Sequence, residues 1–178
     1  MIRLAWLLAV VCLAGCATAP PASPPAPPSD VLAGRMTVQV DATPTTTARS
    51  LTATFDLQGS PEQGTLDMST PLGTVLAQAR WAPGRVALVT SKGETRFSSL
   101  DELTRELLGE SLPVAALFDW LRGRPWSGAD SLPAAGDGDR GFRQLGWAVS
   151  LARFDQGWVS ARRDQAPHVT VRAKLDRP

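Results

Sequence analysis

The sequence predicts an α+β fold, one antiparallel sheet with two helices inserted, on three observations. Segments before residue 90 and after residue 141 alternate apolar and polar residues with period two. Between residues 99 and 125 the period changes twice to that of a helix, with start and stop signals each time. The chain beyond a Pro-rich stretch, residues 31–178, has the length of one domain.

At the N-terminus, Arg3 supplies a positive charge at the start of an otherwise apolar run from Ile2 to Leu13. That run is far short of the roughly 20 apolar residues of a membrane span, so it predicts a secretion signal over residues 1–15. It ends at "LAGC", Leu13 to Cys16, which resembles the lipobox at which bacterial lipoproteins are cleaved and lipidated. The resemblance makes Cys16 the first mature residue and the lipid attachment; an ordinary signal cut at a small residue would leave Cys16 uninvolved. Ala17 stands where lipoproteins retained in the inner membrane carry Asp, which points to the outer membrane. Residues 16–30 are the expected tether, since Ala17 to Ser29 is almost entirely Pro, Ala and Ser and cannot build a core.

The only cysteines are Cys12 and Cys16, so no pair remains for a disulfide. Loss of residues 1–15 removes Arg3 and no acid, leaving 17 basic against 17 acidic residues from the original 18 and 17. A chain with no net charge offers no basic field for nucleic acid.

The first strand is "LAGRMTVQV", with Leu32, Gly34, Met36, Val38 and Val40 on one face. "LTATFDL" repeats the pattern through Leu51, Ala53, Phe55 and Leu57, and the polar, Pro-broken "DATPTTTARS" joins the two as a hairpin. Leu66 and Met68 mark a third strand; after "STPLGT", Val75 to Trp81 and Val86 to Val89 read as two more. "SSLDELTRELLG" then carries a capping box, Ser99 with Glu102, a stripe of Leu100, Leu103, Leu107 and Leu108, and Gly109 as a stop. In "LPVAALFDWLRGRP", Pro113 suits the first helical position, Val114, Leu117, Phe118 and Leu121 share a side, and Gly123 with Pro125 ends the element. Residues 126–141 read as a polar loop, and "FRQLGWAVSLARF", "GWVSARR" and "HVTVRAKL" return to strand alternation.

Four motifs, "LAGR" at 32–35, "TPLG" at 70–73, "LGESLPVAALFDWLRGRP" at 108–125 and "LGWAV" at 145–149, stand in order behind the lipobox. Together they resemble the LolB family of outer-membrane lipoprotein receptors and insertases, over about residues 31 to 175. The resemblance implies an unclosed, strongly curved antiparallel β-barrel with helices forming a lid over an apolar cavity. It also implies a function without covalent chemistry: lipoproteins are received from a LolA-like periplasmic carrier, their acyl chains are held in the cavity, and they are inserted into the outer membrane. The chain is expected to be lipid-anchored on the periplasmic face of that membrane, monomeric and without a cofactor.

By motif, the family's membrane-inserting leucine falls on Leu72, between Pro71 and Gly73; on residue type alone a turn leucine packs locally as readily. The candidate cavity residues are Phe55, Leu57, Trp81 and Trp147 on strands and Leu117, Trp120 and Leu121 on the second helix, although an apolar helical stripe serves ordinary packing equally well. Trp126 and Trp158 beside loops and Arg35 on the first strand are read as partly exposed and solvated. Glycines at 109 and 123 are suited to let the helices move as a lid.

Enzyme chemistry has little to draw on. His168 is the single histidine, and no nucleophile elbow or phosphate-cradling Gly loop is present. Asp137-Gly138-Asp139 opens like a calcium loop but lacks the later glutamate, so it reads as a turn and no metal site is expected. A function of another class stays open, that of an outer-membrane structural or assembly lipoprotein holding a protein partner on the same sheet. Two departures from the family bear on the cavity. Tyrosine is absent, with Leu57 where an aromatic would follow Phe55, and "KLDRP" comes without the terminal strand and tryptophan that the resemblance implies, which leaves closure at the C-terminal end open.

Overall fold

The computed structural model describes residues 31–45, 47–134 and 140–176, so Cys16, the tether and Asp137 to Asp139 lie outside the described residues. Eleven strands form one sheet among them: β1 (Leu32–Val40), β2 (Arg49–Gly59), β3 (Gly64–Ser69), β4 (Val75–Ala82), β5 (Arg85–Thr90), β6 (Gly93–Phe97), β7 (Ser131–Pro133), β8 (Gly141–Gln144), β9 (Trp147–Ser150), β10 (Trp158–Arg163) and β11 (Val169–Leu175). The order is β6-β5-β4-β3-β2-β1-β11-β10-β9-β8-β7, antiparallel throughout. Two helices, α1 (Leu100–Leu108) and α2 (Val114–Leu121), lie between β6 and β7 in sequence.

The period-two residues point to one face. Val38, Val40, Phe55, Leu57, Met68, Trp81, Leu88, Trp147, Val149, Val171 and Leu175 are all buried in a single core. That face curves around α2. Phe118 meets Trp81 of β4 at 5.8 Å between ring centroids, while Trp120, two residues on, meets Phe142 of β8 at 6.3 Å and Trp147 of β9 at 6.0 Å. β4 and β9 are six strand spacings apart in the order, about 29 Å across a flat sheet. An eight-residue helix is only about 12 Å long, so the sheet must bend round it. The outer strands β6 and β7 do not pair, and the barrel stays open.

The C-terminal end is not where the sheet fails to close: β11 pairs with both β1 and β10 and lies mid-sheet, and the two unjoined edges are β6 and β7. Those two strands are also the ones the alternation did not reveal. "GETRF" is exposed except for half-buried Phe97, and "SLP" is exposed throughout, so neither needed an apolar face.

The helix faces differ from expectation too. In α1, Leu103 and Leu108 are buried, but Leu107 is exposed and Thr104 takes its place inside. Thr104 Oγ1 accepts from Leu112 N at 3.0 Å and donates to Asp101 O at 3.2 Å, tying the helix to the α1–α2 connector. Ser99 caps Glu102 N as predicted, at 3.1 Å, whereas the Glu102 carboxylate turns to the Ser98 hydroxyl and N–H. Those Ser98 bonds hold the Glu102 carboxyl below the usual carboxylate range. Their contribution is therefore present above that range and lost as the pH falls through the lowered value.

Pro113 is the N-cap of α2, one position before the first helical residue. Ala116, Phe118, Trp120 and Leu121 are buried, with Val114 and Leu117 half-buried, because a helix inside a curved sheet is covered on most sides.

One glycine sets the position of a core aromatic. A Cβ on Gly64 would lie 2.6 Å from the Trp81 ring and 2.4 Å from Gln58 O. The missing side chain lets the indole lie across β3 and donate from Nε1 to Ser60 O at 3.1 Å. Gly64→Ala is expected to lower stability by about 1–3 kcal/mol through overpacking, read as a lower urea midpoint with an unchanged slope.

Candidate functional site

The β3–β4 hairpin ends in Thr70-Pro71-Leu72-Gly73-Thr74. Gly73 N donates to Thr70 O at 2.9 Å, Thr70 N to Thr74 O at 2.8 Å, and Thr74 N to Thr70 Oγ1 at 3.1 Å. These bonds fix a tight tip, and Gly73 takes the positive φ of 87° that ends it. Leu72 stands out of the tip 94% exposed, with Val75 72% exposed beside it on β4. The alternative of a locally packed Leu72 is excluded by that exposure.

The other candidate residues are inside. Phe55, Leu57, Trp81, Trp120, Leu121 and Trp147 are buried in the core, and Leu117 is half-buried against it. α2 itself occupies the concave side of the sheet, and its Phe118 and Trp120 are among the largest fully buried side chains. Trp126 is half-buried against the core; Trp158 is half-buried, with the Arg153 guanidinium 5.1 Å and the Lys174 ammonium 5.8 Å from its ring. Arg35 is exposed on its strand, and His168 is half-buried with Nδ1 3.3 Å from Arg163 O.

Beside the helix starts a groove of about 540 Å³ opens to solvent, lined mainly by Leu100, Pro113, Val114, Ala115, Trp126, Leu145 and Trp147, with Ser99, Asp101, Ser111 and Arg163 at its polar edges. Of the candidate cavity residues, only Trp147 reaches it. Its volume lies within the roughly 300–1,000 Å³ of small-molecule sites. The α1–α2 connector beside it is held to the sheet by Arg163, whose Nη2 donates to Glu110 Oε2 at 2.9 Å and to Pro167 O at 2.6 Å.

Sequence reasoning missed Gln144. This buried glutamine accepts at Oε1 from Trp120 Nε1 at 2.8 Å and Trp126 N at 3.0 Å. Its Nε2 donates to Trp126 O and Ala129 O, each at 2.7 Å. One side chain thus seats α2 and the segment after it on β8. Period-two parity running from Phe142 would have found it. Among the described residues no group of three His, Cys, Asp or Glu side chains is placed to hold a metal.

Comparison with known proteins identifies the relatives. Residues 32–175 match the family model described as Outer membrane lipoprotein LolB. The chain is similar to Outer-membrane lipoprotein LolB of Bordetella petrii, 32% identical over 97% of this chain and 92% of the relative. The protein of the same description from Thiobacillus denitrificans is 34% identical over 85% of this chain and 80% of its own length. That from Chromobacterium violaceum is 29% identical over 86% and 84%. With its folded part matched from first strand to last, this chain belongs to the LolB family.

Proposed function

We propose that this chain is an outer-membrane lipoprotein receptor, anchored through acylated Cys16, that takes lipoproteins from a LolA-like periplasmic carrier and inserts them into the outer membrane, acting as a single chain. The observation that carries the reading is Leu72, 94% exposed on a hydrogen-bonded tip and so presented to solvent among the described residues. Burial of such a side chain in the acyl region is worth about 1.5–3 kcal/mol, and Val75 extends the same apolar tip. Lipid on Cys16, at about 0.8 kcal/mol for each buried CH₂, keeps the domain at the membrane surface.

Acyl chains enter at the groove beside Trp147 and extend under α2. In the described state Phe118, Trp120 and Leu121 occupy that space, so cargo displaces α2 from the concave face. Two left-handed glycines flank α2 in sequence, Gly109 with φ 79° at the end of α1 and Gly123 with φ 78° just past the end of α2. The work is binding and release, and no bond is made or broken.

The test is saturable binding of a fluorescent acyl probe to the mature chain carrying Cys16→Ser. Binding competed by palmitate, with quenching of tryptophan emission, is the expected result. Absence of saturable binding would overturn the reading.

A further inference from the structure

We propose that Leu145 is a second membrane-contact residue, entering the same bilayer surface as Leu72; the inference rests on the insertase reading and extends it to the other side of the barrel mouth. Leu145 and Gly146 are the two central residues of the β8–β9 hairpin, closed by the pair Gln144 and Trp147. Their φ values are 53° and 78°. Positive φ at both positions is the mirror-image two-residue turn that Asn-Gly and Asp-Gly sequences fill, because their backbones reach it at low cost. A leucine there meets its own carbonyl, and among the described residues Leu145 is the only non-glycine with positive φ.

The fold gains little from this residue. Leu145 is 48% exposed and forms the lip of the groove, and a Cβ on neighbouring Gly146 would meet nothing within 4 Å. An apolar side chain kept where backbone and solvent both disfavour it points to a contact outside the molecule.

The register says where that contact lies. The β3–β4, β8–β9, β1–β2 and β10–β11 connections all fall at one end of the sheet, and those at 59–64, 82–85 and 150–158 at the other. Leu72 and Leu145 therefore stand on one rim, either side of the strands β2, β1, β11 and β10. β1 begins at the opposite end and is about 30 Å long at roughly 3.3 Å per residue. Fifteen residues separate Cys16 from residue 31, and a chain of that number spans at most about 50 Å, a limit longer than β1 that allows this rim to meet the membrane holding Cys16.

The test uses the mature chain with Cys16→Ser, in which an introduced cysteine is unique, labelled with an environment-sensitive fluorophore. Leu72→Cys, Leu145→Cys and, as an exposed apolar control at the opposite end of the sheet, Val31→Cys are each mixed with phosphatidylethanolamine–phosphatidylglycerol vesicles. Blue shifts at 72 and 145 but not at 31 are expected. A shift at 72 alone overturns the role of Leu145 and leaves the insertase reading intact; no shift at either removes the membrane reading and this inference with it. A shift at 145 that needs loaded carrier and no vesicles makes the residue a carrier contact and also overturns the proposal. As a second measurement, Leu145→Asn relieves the turn, so its melting temperature should be unchanged or higher while vesicle binding falls about ten-fold. Unchanged vesicle binding would contradict the proposal.

Discussion

Trp120→Ala is expected to destabilise the domain by about 3–5 kcal/mol, the range for emptying a buried aromatic site. Trp120 is fully buried, packs on Phe142 and Trp147, and donates to Gln144 Oε1. Its loss opens a hole where α2 meets β8 and β9 and removes one of the two donors to that oxygen. Trp120→Phe keeps most of the packing and deletes the N–H, for a smaller loss of about 1 kcal/mol. Urea unfolding of both variants separates the two contributions. The same pair reports on function, because in the proposed mode of binding α2 and cargo would compete for the concave face. Weakening the dock of α2 by about 1.4 kcal/mol should raise acyl-probe affinity up to ten-fold, provided the fold holds. A Trp120→Phe variant that binds probe more weakly would mean that the indole contacts lipid instead of making way for it.

Leu72→Glu is expected to leave stability within about 0.5 kcal/mol of wild type, since the side chain is 94% exposed. Its effect is expected on delivery. The substitution removes the roughly 1.5–3 kcal/mol of apolar transfer and adds the cost of carrying a carboxylate toward the acyl region. Delivery of cargo to vesicles should fall by a hundred-fold or more, with acceptance from the carrier unchanged, while Leu72→Phe retains delivery. Equal loss of acceptance and delivery would place Leu72 in the carrier contact and not at the membrane.

Much of this was legible in the sequence because a one-faced sheet writes its burial in alternation. Phe55 and Leu57, or Val169 and Val171, face inward as their parity requires. What stayed hidden lacks that signal for physical reasons. β6 and β7 are exposed edges with no apolar face to display. α2 is covered on most sides, so its stripe could not say which residues the sheet would touch. Thr104 and Gln144 are polar residues made tolerable inside by hydrogen bonding; no hydrophobic pattern reports Thr104, and only its parity with Phe142 marks Gln144 as inward-facing. At the rim, Leu72 was found through a motif shared with a family. Leu145 stood in another such motif, and only its backbone angle showed that a leucine occupies a position suited to asparagine.

The proposed passage of lipoprotein through this chain can be followed directly. A labelled lipoprotein bound to its soluble carrier is mixed with the mature lipidated chain embedded in vesicles, and the label is followed from carrier to receptor to bilayer. Label should leave the carrier only when the receptor is present, appear transiently on the receptor, and end in the vesicle membrane. Label that stays on the carrier, with receptor present and folded, would contradict the proposal and favour an assembly role for the same fold.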